Sequence, residues 1–350
     1  MADVPYAVLL AEALVSFVLA LALGLYATPV AREAALRFGI VDRPDGNLKT
    51  HGTPVPYFGG LAIYAAFLLS TSLSLTLGFD GKVLGLLLGG SILVIVGLID
   101  DLGTLPYGAK FFGEIVAALV AIRSGIVIEL HYGPPGLELV GNALLSLFWL
   151  VLVTNAVNII DIMDGLAGSV SFVASACLAL VALLNGRSEV LCITAALAGA
   201  TLAFLKDNRH PARIYMGDTG ALFLGFMLGA LCLIGSYTRL APLGFLSPLY
   251  VLAVPLFDTA FVSVLRLSRG ASPFRGSPDH FAIRLRRSGR PVPAVVRIAA
   301  LCGVATGGLG LANVFLARPQ AIALAGAALF GVLGAAVVLL KLPDRTASTP

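Results

Sequence analysis

Aspartate recurs beside Gly, Asn or His at five places along this chain of 350 residues: Asp42 with Asp45, Asp100 with Asp101, Asp161 with Asp164, Asp207 with Asp218, and Asp279. In GLI-Asp100-Asp101-LGTL two adjacent carboxylates close an apolar run. Such a pair repels itself and loses hydration, so it calls for a cation or a retained proton. A hard divalent ion such as Mg²⁺ meets that need, since it prefers carboxylate oxygen and keeps several waters. In Asn155-Ala-Val-Asn158-Ile-Ile-Asp161-Ile-Met-Asp164-Gly165, helical spacing puts Asn158 and Asp161 on one face. Asp164-Gly165 reads instead as a turn into the next helix, where small residues let a planar base or a diphosphate approach the backbone. From Lys206-Asp207-Asn208-Arg209-His210 to Gly217-Asp218-Thr219-Gly220, Lys, Arg and His surround Asp218 at a predicted helix start. Free N–H groups there attract an anion and the carboxylate a metal, so this segment reads as a metal–phosphate site. Finally, residues 266–291 hold seven Arg together with Ser272-Pro273-Phe274 and Asp279-His280. Cytoplasmic placement accounts for some of this charge, and the loop equally suits a phosphate-rich ligand or anionic headgroups.

The elements that must hold these groups are membrane helices. Hydrophobic residues make up 58% of the chain and charged ones 12%, with a mean hydropathy of +0.96. A soluble domain is roughly a quarter charged, so a water-facing surface is excluded. The apolar runs are continuous rather than alternating, which excludes a β-barrel. The fold class is all-α: a polytopic helical bundle, read as one transmembrane domain over 1–350. Eleven runs can span, near 5–29, 59–79, 82–99, 107–126, 142–160, 166–184, 189–205, 219–236, 245–265, 292–316 and 320–340. Segment 127–141, with its Pro-Pro-Gly, reads as a small hairpin outside the bilayer. Lys and Arg orient the bundle: five fall in loops on the N-terminal side and seventeen on the other. The N-terminus is therefore outside and the C-terminus cytoplasmic. The nine aspartates named above, not used in that count, all land on the cytoplasmic side, which implies a common purpose. Cys177, Cys192, Cys232 and Cys302 read as packing residues, and no cleaved signal peptide is expected. The net charge of +4 is small, and no nucleic-acid partner is expected. Many glycines allow close packing within the chain or in a homodimer.

In order and on one side, these segments resemble the polyprenyl-phosphate N-acetylhexosamine-1-phosphate transferases. Lys49-Thr-His51-Gly-Thr-Pro54-Val-Pro56-Tyr-Phe-Gly59-Gly60 is similar to the family's opening segment, and the three stretches around Asp100, Asn158 and Asp218 to its core motifs. The resemblance implies Asp218 as the principal Mg²⁺ (or Mn²⁺) ligand with Asp101. It gives Asp100 and Asp101 to the lipid phosphate and metal, and Asp161 and Asp164 to the nucleotide end. Lys49, His51, Lys110, Asn155, Asn158, Asn208, Arg275 and His280 become candidate substrate contacts. Two positions depart from the pattern: Ile162 is bulky where the nucleotide should pass, and only His280 remains of a His-x-His-His run.

The implied reaction joins polyprenyl phosphate to a UDP-N-acetylhexosamine, with GlcNAc favoured, and releases UMP at a bacterial inner membrane. A phosphate monoester is already mostly dianionic near pH 7, so charge neutralisation matters more than a strong base. Two alternatives stand beside this reading. The cell-wall branch that transfers phospho-N-acetylmuramoyl-pentapeptide typically carries a triple-His run instead. A transporter or flippase would place carboxylates near the bilayer midplane, where this sequence offers only Asp258 after Pro255.

Overall fold

Each of the eleven apolar segments is occupied by helix. The structure, a computed structural model, describes residues 5–42, 54–74, 80–103, 105–131, 133–235, 237, 241, 243–272 and 277–343, so Lys49, His51 and Arg275 lie outside the described residues. The chain forms two compact units, Met1–Ser236 and Tyr237–Pro350.

The first unit contains α1 (Tyr6–Phe38), α2 (Gly59–Ser74), α3 (Gly81–Leu102), α4 (Tyr107–Arg123), α5 (Pro135–Ile159), α6 (Leu166–Leu184), α7 (Ser188–Asn208) and α8 (Gly217–Ile234). Helix α8 is the core: it packs against α2, α3, α5 and α6, and its side chains are buried from Thr219 to Cys232. Close approach to it is made by glycine. A Cβ on Gly97 of α3 would meet the backbone of Asp218 and Thr219, and one on Gly60 of α2 the backbone of Gly220. Both contacts fix where α3 and α2 end against the first turn of α8. Helix α1 lies along α7 in the same direction, with Ser188 donating to Glu12 at one end and Arg32 donating to the Arg213 carbonyl at the other. Pro29 lies inside α1, which runs on to Phe38 and past the expected limit at 29.

Among the described residues eight helices are long and apolar enough to cross a membrane, and nine if a bent pair counts as one. The expected span near 107–126 is a shorter helix of 17 residues, α4, and that near 59–79 is helical over Gly59–Ser74, with 75–79 outside the described residues. The expected hairpin over 127–141 is not present. Residues 127–131 are non-helical, and their backbone is bound by α5 side chains: Ile128 N–H donates to Ser146 Oγ, and Leu130 exchanges hydrogen bonds with Asn142. The Pro-Pro-Gly that suggested a turn instead starts α5, since proline is well placed where its missing N–H has no helical partner. The strand pairing that does occur joins β1 (Val41–Asp42) to β2 (Val55–Pro56), antiparallel.

The second unit holds a 3-10 turn (Gly244–Leu246), α9 (Ser247–Val251), α10 (Ala253–Ser268), α11 (Phe281–Arg287), α12 (Val292–Asn313) and α13 (Arg318–Lys341). The span expected at 245–265 is broken at Leu252, and its halves bend by 71°. Pro255, which lacks an N–H for the carbonyl four residues before it, accounts for the break. Helix α12 packs on α9, α10 and α11, and Asn313 ties it to the Leu243 carbonyl and Ser247 Oγ. Helix α13 is apolar yet nearly all exposed, as a helix facing lipid would be.

Candidate active site

The helix ends of the first unit converge on the start of α8. That helix opens after Met216, which offers no side-chain cap, so its first N–H groups need acceptors from elsewhere. Asp101, at the end of α3, supplies them. Its Oδ1 accepts from Asp218 N–H at 2.8 Å, and its Oδ2 from Thr219 N–H at 3.0 Å and the Thr219 hydroxyl at 2.6 Å. Gly217 sits at φ 69°, and a Cβ there would collide with this carboxylate. The helix start does hold an anion, as its sequence suggests, but that anion is a carboxylate of the same chain.

With α8 anchored, Asp218 projects into a polar network. Its Oδ2 accepts from Lys110 Nζ at 2.5 Å and its Oδ1 from Asn158 Nδ2 at 2.6 Å. Lys110 also donates to Asp100 Oδ2 at 3.1 Å, and Asp100 Oδ1 takes the Leu105 N–H at 2.9 Å. The Lys110 and Asp100 side chains are only 15% and 17% exposed, so screening by water is limited. One helical turn from Lys110, buried Glu114 accepts from Asn155, which also donates to the Val151 carbonyl. Asn155 therefore joins the network through Glu114 rather than directly.

Between α5 and α6, Asp161 is half-buried, and its carboxyl is pushed up to about 7 by burial and then by the negative charges of Asp218, Asp101 and Asp164. Asp164 accepts from His210 Nδ1 at 2.7 Å and from Ala212 N–H at 3.1 Å. Asn208 is a buried clip: its Oδ1 takes Gly165 N–H and its Nδ2 donates to the Ile214 carbonyl. Together these two residues hold the 160–165 turn against the 209–216 segment. Pro56 and Gly59-Gly60 complete the frame, as the Pro56 carbonyl accepts from Tyr215, and Gly59 and Gly60 donate to the Tyr215 and Met216 carbonyls. Tyr57 and Tyr215 have ring centroids 6.1 Å apart. The Tyr215 hydroxyl is pushed up to about 12 by burial and by Asp164, Asp42 and Asp161.

Asp100, Asp101, Lys110, Asn158 and Asp218 are thus brought into one connected network, with Asp161 in electrostatic reach and Asp164 and Asn208 bracing its loops. The basic residues do not surround Asp218 as the sequence suggests. Lys206, Arg209, His210 and Arg213, with Asp207 and Pro211, line a recess of about 260 Å³ of their own. Ile162 is 39% exposed rather than packed into the site. His280 belongs to the second unit, where its Nδ1 meets fully buried Asp258 at 2.7 Å. Asp258 also accepts Phe281 N–H at 2.8 Å, so the lone midplane candidate is a structural partner of His280. Nearby, burial pushes the Asp279 carboxyl up, but hydrogen bonding from Arg284 and the charges of Arg269 and Arg284 outweigh it and hold it below the usual range. Sequence reasoning missed Glu114, Tyr57, Thr219 and the role of Asp258. Only Glu114 carried a signal, as an acid one helical turn beyond Lys110 in an apolar run.

The carboxylate oxygens of the network suit a hard cation. Among the described residues no group of three His, Cys, Asp or Glu is placed to hold a metal. An ion here would therefore take one or two carboxylates and complete its shell with phosphate oxygens and water, as Mg²⁺ commonly does. Asp100 and Asp218, which already share a cation in the Lys110 ammonium, fit that description.

Residues 83–236 match the family model described as Glycosyl transferase family 4. The chain is 33% identical over 257 residues to a probable undecaprenyl-phosphate N-acetylglucosaminyl 1-phosphate transferase of Bacillus subtilis, covering 72% of this chain and 71% of that one. It is 34% identical over 300 residues to a decaprenyl-phosphate N-acetylglucosaminephosphotransferase of Mycolicibacterium smegmatis, covering 75% and 73%. A Salmonella typhimurium undecaprenyl-phosphate alpha-N-acetylglucosaminyl 1-phosphate transferase is 28% identical over 295 residues, covering 79% and 78%. The chain belongs to the polyprenyl-phosphate N-acetylhexosamine-1-phosphate transferase family.

Proposed function

We propose that this protein transfers N-acetylglucosamine 1-phosphate from UDP-N-acetylglucosamine to a polyprenyl phosphate at the cytoplasmic face of a bacterial inner membrane. The observation that carries this reading is the Asp100–Lys110–Asp218 chain, mounted on an α8 start that Asp101 anchors, in a member of this family. A lipid phosphate oxygen attacks the sugar-bearing phosphorus. The new P–O bond forms as the bond to the bridging oxygen breaks, and UMP leaves with that oxygen. Two polyanions must meet, so the problem is charge rather than proton abstraction. Lys110 contributes a fixed positive charge between Asp100 and Asp218. Asn158 holds the second Asp218 oxygen, fixing the carboxylate's orientation. Asp100 and Asp218 would hold Mg²⁺, which supplies charge neutralisation at the phosphates when bound. Asp101 acts as anchor of α8. Asp161 and Asp164 border the nucleotide end, where Tyr57 and Tyr215 offer aromatic surface.

The test is UMP release by detergent-purified protein given Mg²⁺, polyprenyl phosphate and a panel of UDP-N-acetylhexosamines. UMP formed from UDP-N-acetylglucosamine, abolished by EDTA and by Asp218→Ala in a folded variant, is the expected result. Release that survives both treatments would sink the proposed site.

A further inference from the structure

Lys206, Arg209 and Arg213 are cations that the reaction site does not use. None of them contributes to the electrostatics of Asp161, while Asp218, Asp101 and Asp164 all do. Among the described residues Lys206 and Arg209 make no ion pair, and Arg213 approaches Asp207 no closer than 3.8 Å. They line the recess of about 260 Å³ at the end of α7. Arg32, at the same end of the parallel helix α1, reaches its rim by donating to the Arg213 carbonyl at 3.2 Å. At about 100° per residue, Leu14, Val18, Leu25, Arg32 and Leu36 fall within about 40° of one another on α1. The four apolar members of that line are 62%, 50%, 38% and 41% exposed. An apolar stripe therefore runs lengthwise along the helix and meets, where the helix ends, a recess lined by Lys206, Arg209 and Arg213 against the single carboxylate of Asp207.

We propose that this recess binds the headgroup phosphate of an anionic bilayer phospholipid, with an acyl chain lying along the α1 stripe. The occupant is a structural lipid rather than the polyprenyl phosphate. A nucleophile must reach the Asp100–Asp218 network, whereas these cations line a recess whose walls include none of Asp100, Lys110, Asn158 or Asp218. The inference stands independently of which sugar is transferred.

Native mass spectrometry of the full-length protein in detergent, titrated with phosphatidylglycerol and separately with phosphatidylcholine, tests it. Each basic residue near an anionic surface strengthens binding roughly five-fold, so Lys206→Gln with Arg209→Gln should weaken phosphatidylglycerol binding roughly 25-fold. Phosphatidylcholine binding and the KM for the nucleotide sugar should not move. The two side chains make no ion pair, so the double variant should fold, and Lys206→Arg with Arg209→Lys should keep the lipid preference. Arg32→Gln should weaken the same lipid from the other wall. Unchanged phosphatidylglycerol binding in the double variant would overturn the proposal. So would displacement of the lipid by millimolar inorganic phosphate together with a raised KM for the nucleotide sugar, which would assign the recess to a soluble substrate.

Discussion

Asp101 accepts three hydrogen bonds from the first turn of α8, and its replacement has two separable consequences. An Asn there would turn an amide N–H₂ toward at least one N–H donor. The loss of capping should lower stability by about 1–2 kcal/mol. The resulting shift of Asp218 should slow UMP release by about a hundredfold or more. Thermal unfolding measured beside turnover separates the roles: lost activity at full stability would make Asp101 a participant in the chemistry and not an anchor. The Asp100-Asp101 pair was legible in the sequence as a charge problem. Its solution was not, because the partners of Asp101 lie 117 and 118 residues further on. Asp161 gives a pH prediction. Its folded pKa, about 7, is raised above the ordinary carboxyl value by burial and acidic neighbours. The folded state therefore holds the proton more tightly, and stability falls as pH rises from about 4 to 7. Asp161→Asn, without metal, should match wild type near pH 4 and melt higher at pH 8. Equal melting at pH 8 would show that the neighbouring charges do not act on Asp161 in this way.

Two helices share one device at the next scale up. Both α8 and α11 begin after residues that give no local side-chain cap, Met216 and His280, and each takes a carboxylate from a distant helix: Asp101 for α8, Asp258 for α11. Helices were read from apolar runs, and all eleven runs are helical, because burial or lipid contact rewards that pattern anywhere in a chain. Caps supplied across the fold leave no local pattern, so Asp258 looked like a solitary midplane acid. The false hairpin at 127–141 failed for the same reason, since Asn142 and Ser146 of α5 satisfy backbone that a second strand would otherwise pair. Asp258 is fully buried and bonded to His280 and Phe281. Removing one member of such a pair strands its partner, so Asp258→Ala should cost about 3 kcal/mol. Asp258→Ala combined with His280→Ala should cost less than the sum of the single changes. Additive losses in denaturant unfolding would mean that the two side chains do not support each other.

At the scale of the whole molecule, the polar network unites the end of α3, the start of α4, the ends of α5 and α7 and the start of α8. All of these ends therefore lie at one extremity of the first unit, and the charge bias of the sequence assigns that extremity to the cytoplasm. The proposed reaction would demand the same side, since a nucleotide sugar is a cytosolic solute. The opposite extremity carries the α6–α7 connection with Arg187, at the far end of α7 from Arg209. Cysteine labelling in intact cells can decide the orientation. Cys177, Cys192 and Cys232 are buried and only Cys302 is exposed, so Cys302→Ser gives a quiet background. A membrane-impermeant maleimide should then label Arg187→Cys in intact cells. It should label Arg209→Cys only after permeabilisation, because that residue borders the catalytic end. The reverse pattern would put the carboxylates outside, away from any nucleotide donor, and the transferase mechanism proposed for them would fail with the topology.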